Sequence, residues 1–434
     1  MVTLLSLLVI VSAITGHRVL ANDADGDLLV YSVPNGNGGM GLFLYDVRNR
    51  RSAPIIVNNT GRYSGFVFSS SGRLAYSAND DVYVMDVSAE SSLHVNLTET
   101  LDASAYPLDW NVDENYLAYE AALADDSRRL YIWDGETSLE IAPSGLPATA
   151  YTYGAQWSFD NRLVFTAQYG DDKRIYVWDG ETTIDITPSD LHPAVRSYHA
   201  EWSQDGRLAF MVWYESAFDD RYEGDPSEIY VWDGETTMNV SQHPTGGDRS
   251  PSWSRDGRLA FLTYIDGNGD DSSDILVWNG QSFVDGLPDK SSYSNIVPEL
   301  TSYISYPIWT NDDLLTFVGP EGHYGQDYVW DGQTATNISQ LSNLHAGTPR
   351  WSADGRWAFF SSQSLVIVRD AENNTLLSTE GQYAPAWSPN GYLMFCKYGW
   401  VLTVWDGHEV IEIAHGMWIS AQWQDGKGVS CSSG

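Results

Sequence analysis

One nine-residue segment recurs along the chain and limits what it can fold into: WSQDGRLAF from Trp202, WSRDGRLAF from Trp253 and WSADGRWAF from Trp351. Looser copies begin at Trp110, Trp157, Trp309 and Trp387. One copy begins with Phe68 in the Trp position, and a truncated one, WQDGKGVSC, begins at Trp423. Successive starts are 36 to 56 residues apart. A second segment falls between them, as in LYIWDGET ending at Thr137, IYVWDGETT twice, ILVWNGQS, DYVWDGQT and LTVWDGHE, with weaker copies at Leu42 and Val82. A further copy carries Arg369 where most others carry Trp. A fixed period of this size is the mark of a repeat architecture and overrides any domain count from the 434-residue length.

Each piece has readable chemistry. Runs such as Ile175-Tyr176-Val177-Trp178 are short, β-branched or aromatic, and apolar on both faces, as in strands covered on both sides. Asp-Gly after each run signals a tight hairpin, because Gly takes the positive φ the turn needs. One unit therefore reads as strand a ending at Trp-Ser, a turn, strand b, a variable loop, strand c ending at Trp, a turn and strand d. Four antiparallel strands in a period near 44 residues make a propeller blade, so the expected fold is all-β, a single β-propeller over residues 22–434. Asp25-Gly26-Asp27-Leu28-Leu29-Val30 matches strand b without a strand a before it, and Ala421-Gln422-Trp423 is a strand a with little after it. Pairing the two closes the ring and removes an exposed edge. Counting that shared blade gives nine, with eight as the alternative. The 18 tryptophans and 26 tyrosines fit blades packed face to face. Fourteen tryptophans occupy the two repeat positions, and Trp357 stands at the strand b leucine, so these are expected in the core.

The W-S-x-D-G-R-L-A-F pattern resembles the TolB-like propeller repeat, which also occurs in propeller domains of prolyl-oligopeptidase-type peptidases. The resemblance covers essentially all of residues 22–434 and implies a ring that serves as a protein-interaction platform or as a gate on a hydrolase. The sequence contains no G-x-S-x-G elbow, and no stretch outside the repeats is left for an α/β hydrolase domain.

Charge and the first residues bear on location. The 58 acids against 23 bases give a net charge of −35, which repels phosphate backbones and anionic lipid, so neither nucleic acid nor a membrane surface is expected as a partner. Residues 1–21 read as a signal peptide, with an apolar run from Leu4 to Ile14 and a small-residue cleavage site at Val19-Leu20-Ala21. No Lys or Arg precedes the run, which is too short to span a bilayer. A secreted or envelope-facing monomer, without a membrane span after cleavage, is the expectation. Cys396 and Cys431 follow Trp387 and Trp423 at nearly equal offsets. Equivalent positions in neighbouring blades usually stand too far apart for a disulfide, so two inert strand cysteines are expected, with a disulfide as the alternative.

Function is expected on the face carrying the variable b–c and d–a loops, since rigid scaffolds display binding groups on such loops. Trp213 and Trp400 map to b–c loops and Trp418 to a d–a loop, joined there by Tyr198, His199, Tyr214, Tyr398 and His415. Exposed Trp and Tyr anchor interfaces and stack on sugars. The leading expectation is a non-catalytic protein-binding scaffold, with a glycan- or small-ligand-binding propeller as the first alternative. A propeller glycoside hydrolase is the second, for which Asp109, Glu201 and Glu215 are the candidate carboxylates. The histidines show no metal-ligand spacing. Asp266, Asn268, Asp270 and Asp274 alternate like the first half of a calcium loop, but Val277 stands where the bidentate Glu belongs. An acidic loop is the plainer reading, and any calcium affinity is expected to be weak. No other cofactor is expected.

Overall fold

The computed structural model describes residues 28–431 except 35–38, 60–64, 88–92, 126, 148, 189–195, 214–226, 243–246, 265–272, 281–282, 285–286, 289–292, 297–304, 311, 322–323 and 341–348. The expected signal peptide and its cleavage site lie outside these residues. Nine antiparallel sheets form the blades of one propeller. Blades 2–5 and 7–9 each use four consecutive strands. Blade 6 inserts a two-stranded ribbon, Phe283–Val284 with Leu287–Pro288, between its strands c and d. That insertion accounts for the longest repeat spacing. Among the described residues no helix is long and apolar enough to cross a membrane.

The two ends share blade 1. Its strands b, c and d are Leu28–Pro34, Met40–Asp46 and Arg51–Asn59, and its strand a is Ile419–Trp423. Leu29 faces Trp423 and Ser32 faces Ser420. The expected closure is therefore present, one residue later than the Asp25-Gly26 phase implied, since Leu29 and not Leu28 takes the repeat leucine's place. A fifth strand, Gly428–Cys431, pairs with the other edge of strand a and packs on strands a and b of blade 9.

This extra strand corrects the reading of the cysteines. Cys431 and Cys396 are disulfide-bonded, with a Cα–Cα distance of 5.6 Å. Repeat phase assigned Cys431 to a strand b, one blade away from Cys396. In the fold its strand lies inside strand a, directly against the blade 9 strand that carries Cys396. The bond ties the closing strand to its neighbour, and both sulfurs are buried.

Aromatic packing follows the repeat. Within a blade, Trp157 and Trp178 flank the intervening Leu163 with ring centroids 6.1 Å apart, and Phe165 stacks on Tyr176 at 5.6 Å. Thirteen of the fourteen repeat tryptophans are buried and Trp351 is half-buried, as the core expectation required. Between blades, the strand a indole donates to the preceding blade: Trp253 Nε1 to the Glu201 carbonyl at 3.1 Å, Trp387 Nε1 to that of Arg350 at 2.8 Å, and Trp423 Nε1 to that of Ala386 at 3.0 Å.

The polar part of the repeat is an inter-blade clamp. In blade 5 the Ser203 hydroxyl accepts from Arg207 N at 2.8 Å and donates to Asp205, whose carboxylate takes both oxygens to Arg207 Nε at 3.1 Å. So held, Arg207 lies 4.5 Å over the Trp253 ring of blade 6 and donates to the Gly257 carbonyl at 3.0 Å. Gly257 has φ +85°, and a Cβ there would stand 2.6 Å from Arg207 Nη2, so turn and clamp both call for glycine. Arg162 and Arg356 repeat the arrangement on blades 5 and 9. Blade 8 redistributes the bulk: Trp357 replaces the strand b leucine, and facing it in strand c is Arg369, 5.6 Å over the Trp357 ring.

Candidate functional site

The a–b and c–d turns of one face are short and tied by their own side chains. Asp233 Oδ1, for example, accepts from Glu235 N and Thr236 N. The opposite face carries the b–c and d–a connections, and there three of the four exposed aromatics among the described residues, Tyr383, Tyr398 and Trp418, lie on or just after the last blade, the fourth being Tyr169 of blade 4. Strand b of blade 9 (Leu393–Lys397) turns through Tyr398, Gly399 and Trp400 into strand c (Val401–Trp405), with φ +79° at Gly399 and +56° at Trp400. Strand d (Val410–His415) brings His415 opposite Val401, and Gly416 N donates to the Trp400 carbonyl at 3.1 Å. The d–a connection that follows presents Met417 and Trp418, 58% and 56% exposed. Tyr398 is 54% exposed and shares a hydrogen bond with the Ser364 hydroxyl of the blade 8 hairpin.

Tyr398, Trp400, His415 and Trp418 are thus brought together by the blade 9 hairpin and the closing connection. They differ in role. Trp400 is half-buried against the cluster that contains the disulfide, so it supports the surface. His415 is exposed, its Nε2 3.6 Å from Glu412. Two further exposed side chains on this face escaped sequence reasoning, Met417 and Tyr383. Tyr383 starts blade 9's strand a side of the same face at φ +64° and is 43% exposed. The adjacency of Met417 to Trp418 was a usable signal, whereas nothing local marks Tyr383 as leaving the strand pattern.

The other four expected residues belong to blade 5, four blades away around the ring. Trp213 is not in a loop: it ends strand b (Leu208–Trp213), paired with Arg196 and Ser227, and is half-buried. Tyr198 and His199 lie within strand a (Arg196–Trp202), while Tyr214 is outside the described residues. Of the calcium-loop residues, Asp266, Asn268 and Asp270 also fall outside them. Asp274 is a buried residue of blade 6 strand c whose Oδ2 accepts from Asn295 at 2.9 Å. Among the described residues no group of three or more His, Cys, Asp or Glu could hold a metal ion.

The hydrolase carboxylates fall at one repeat position, just before the strand a Trp. Glu201 Oε1 accepts from Trp253 N at 3.0 Å and lines a cavity of 360 Å³ with Ser252, Trp253 and Trp309. Burial raises its pKa from 4.5 to about 7. Asp109, in blade 3, has an exposed side chain hemmed in by the protein around it. Its pKa is raised to about 6 by burial, against the lowering hydrogen bond from Trp110 N. Blade 4 separates the two carboxylates, and Glu215 lies outside the described residues. A carboxyl raised in the folded state binds its proton more tightly there than in the unfolded chain. Its penalty is absent below the ordinary Glu range, grows from about pH 4.5 and is complete above about pH 8. Glu201→Gln, which keeps an acceptor for Trp253 N, should therefore match the parent in thermal unfolding at pH 4 and exceed it by roughly 2–3 kcal/mol at pH 8. Equal stability at both pH values would show that Glu201 is solvated like a surface carboxylate.

No family model and no curated protein matches the sequence. Solved structures do match the fold. One, a eukaryotic initiation factor, is 12% identical with a TM-score of 0.59, covering 93% of this chain and 99% of that one. Dipeptidyl peptidase 4 from Porphyromonas gingivalis is 13% identical with a TM-score of 0.56 over 81% of this chain, which spans only 59% of that longer one. A protein described as TolB from Agrobacterium tumefaciens reaches a TM-score of 0.31 at 15% identity, over 63% of this chain and 89% of that one. At such identities the first two likenesses show a β-propeller and nothing finer.

Proposed function

We propose that this chain is a non-catalytic β-propeller that docks a protein partner on its loop face, anchored by Tyr383, Tyr398, Met417 and Trp418. The observation that carries the reading is the exposure of Met417 and Trp418. The repeat tryptophans go into the core, yet these two adjacent apolar side chains stand more than half exposed just after blade 9, which itself carries the exposed Tyr383 and Tyr398. Exposed apolar side chains of this kind, within a chain of net charge −35, suit an interface core with a charged rim. The rim favours a partner with basic groups around an apolar centre. An extracytoplasmic setting is part of the proposal, supported by the apolar leader and by a buried disulfide, since such bonds persist in oxidising compartments.

The test is capture from native envelope extracts with the parent chain and Trp418→Ala, followed by affinity measurement on the captured protein. Trp418→Ala should weaken binding by about 30-fold or more, on the order of 2 kcal/mol, with its melting temperature unchanged. A partner held equally well by both chains would place the interface elsewhere. Capture of glycan alone, lost in Trp418→Ala, would support the glycan-binding reading.

A further inference from the structure

A second feature of the loop face lies on blades 3 and 4, away from the patch on blade 9. A cleft of 400 Å³ is lined by Asp125, Ser127, Thr149, Tyr151, Gln168 and Tyr169. That volume falls within the roughly 300–1,000 Å³ of small-ligand sites. Tyr169 ends strand b of blade 4 (Leu163–Tyr169) and is 51% exposed, its ring open as a platform. Tyr151 begins strand a (Tyr151–Trp157) and is half-buried.

The walls are held in place. Asp125 accepts from Ser127 N at 3.0 Å and from the Ser127 hydroxyl, fixing the b–c turn of blade 3, and Gln168 Nε2 donates to the Gly170 carbonyl at 2.9 Å across the turn of blade 4. Tyr151 lies under the Arg128 guanidinium at 5.3 Å and against Tyr153 at 5.5 Å. Arg128 in turn donates to Glu120 at 3.0 Å and to the Tyr106 hydroxyl at 2.9 Å. Glu120 is the feature that packing does not explain. The position three residues after the strand b leucine is held around the ring by Ser32, Ser77, Glu120, Thr166, Met211, Leu262, Val318, Phe360 and Cys396. Only blade 3 places a charge there, and it is buried. A buried carboxylate must be paired to be tolerated, and this one is spent on holding Arg128 over Tyr151.

We propose that this cleft between blades 3 and 4 binds a neutral saccharide, stacked on the exposed Tyr169 with Tyr151 forming its wall. Tyrosine faces suit the apolar C–H face of a sugar ring. The carboxylate of Asp125, the Gln168 amide oxygen and the hydroxyls of Thr149 and Ser127 supply acceptors and donors for its hydroxyls. Arg128 is neutralised by Glu120, so the cleft has no spare positive charge to select an anionic ligand.

The experiment uses the full chain and a panel of maltohexaose, cellohexaose, laminarihexaose and chitohexaose, followed by saturation-transfer NMR and calorimetry. At least one hexaose should bind saturably. Tyr169→Ala should weaken it by about tenfold or more, while Tyr169→Phe retains most of the affinity. Because Tyr169 is exposed, its melting temperature should not move, so lost binding cannot be blamed on unfolding. Trp418→Ala should bind the same hexaose as the parent, which separates this site from the protein-docking patch. Absence of saturable binding to all four sugars at several millimolar, or binding that Tyr169→Ala leaves unchanged, overturns the proposal.

Discussion

A chain ending before Ser420 should lose its closed ring and aggregate instead of melting as a soluble monomer. The deletion removes strand a of blade 1, leaving Leu28–Pro34 with an unpaired edge along Leu29 to Ser32. Exposed apolar edges of this kind template pairing with other chains. It also takes Trp423, fully buried, and Ala421 and Cys431 out of one core cluster. Loss of the tryptophan alone costs roughly 3–5 kcal/mol. The disulfide spans 35 residues, for which the chain-entropy account gives about 4 kcal/mol. Cys431→Ser isolates that second share: it should stay soluble and folded, with unfolding shifted to lower denaturant by an amount near that figure. Reducing agent should lower the parent's stability and leave the variant's untouched. Size-exclusion chromatography and denaturant titration on the three chains read both effects. A truncated chain that remains monomeric with an unchanged melting temperature would mean that the ring does not depend on its shared blade.

The second large effect concerns the repeat tryptophans. Trp387→Ala should destabilise the fold by roughly 3–5 kcal/mol, the range for emptying a buried aromatic site. Three contacts go at once. The indole N–H no longer reaches the Arg350 carbonyl, the edge contact with Trp405 at a centroid distance of 6.3 Å is lost, and Arg356 loses the ring beneath it at 5.0 Å. Arg356 then keeps its bonds to Asp354 and to the Gly391 carbonyl without the face that shielded them. The matched comparison is Trp418→Ala, whose side chain is mostly in water and which should melt with the parent. If the two variants lose equal stability, Trp418 is packing and the docking surface proposed on blade 9 falls with it.

Much of the architecture was legible because it is written in local chemistry. Asp205-Gly206 and Asp256-Gly257 turn where they stand, Ile175 to Trp178 can only be a strand covered on both faces, and the period limits the ring to nine blades or eight. Even the closure followed from phase to within one residue, since Trp423 had little after it and Leu28, displaced by Leu29 in the fold, lacked a strand a. The purpose of the arginine in the repeat was not legible. Arg207 acts on Trp253 and Gly257, in the next blade, and no single repeat contains both halves of that contact.

The candidate sites show the same division. Sequence placed Tyr398, Trp400, His415 and Trp418 on the loop face, because hairpin polarity decides which end of a blade a residue occupies. It could not tell that Trp400 turns toward the core while Trp418 turns outward, since both have positive φ and only the packing around each distinguishes them. Nor could it separate these four from Trp213, which stands at the end of a strand on the far side of the ring. Tyr151 and Tyr169 went unnoticed because each fits the strand pattern, and their shared cleft forms only where blades 3 and 4 meet.

By itself, then, the sequence determined the strand, the turn, a ring of nine or eight blades and the join of the two ends, all of which depend on contacts within one repeat length or on repeat phase; the structure settled the count at nine. The tertiary structure decided the Cys396–Cys431 bond, the inter-blade arginine clamps and which exposed aromatics share a surface. The physical reason is distance across blades. A period fixes what each repeat is, but the gap between two repeats depends on how an added strand, such as Gly428–Cys431, settles against its neighbour.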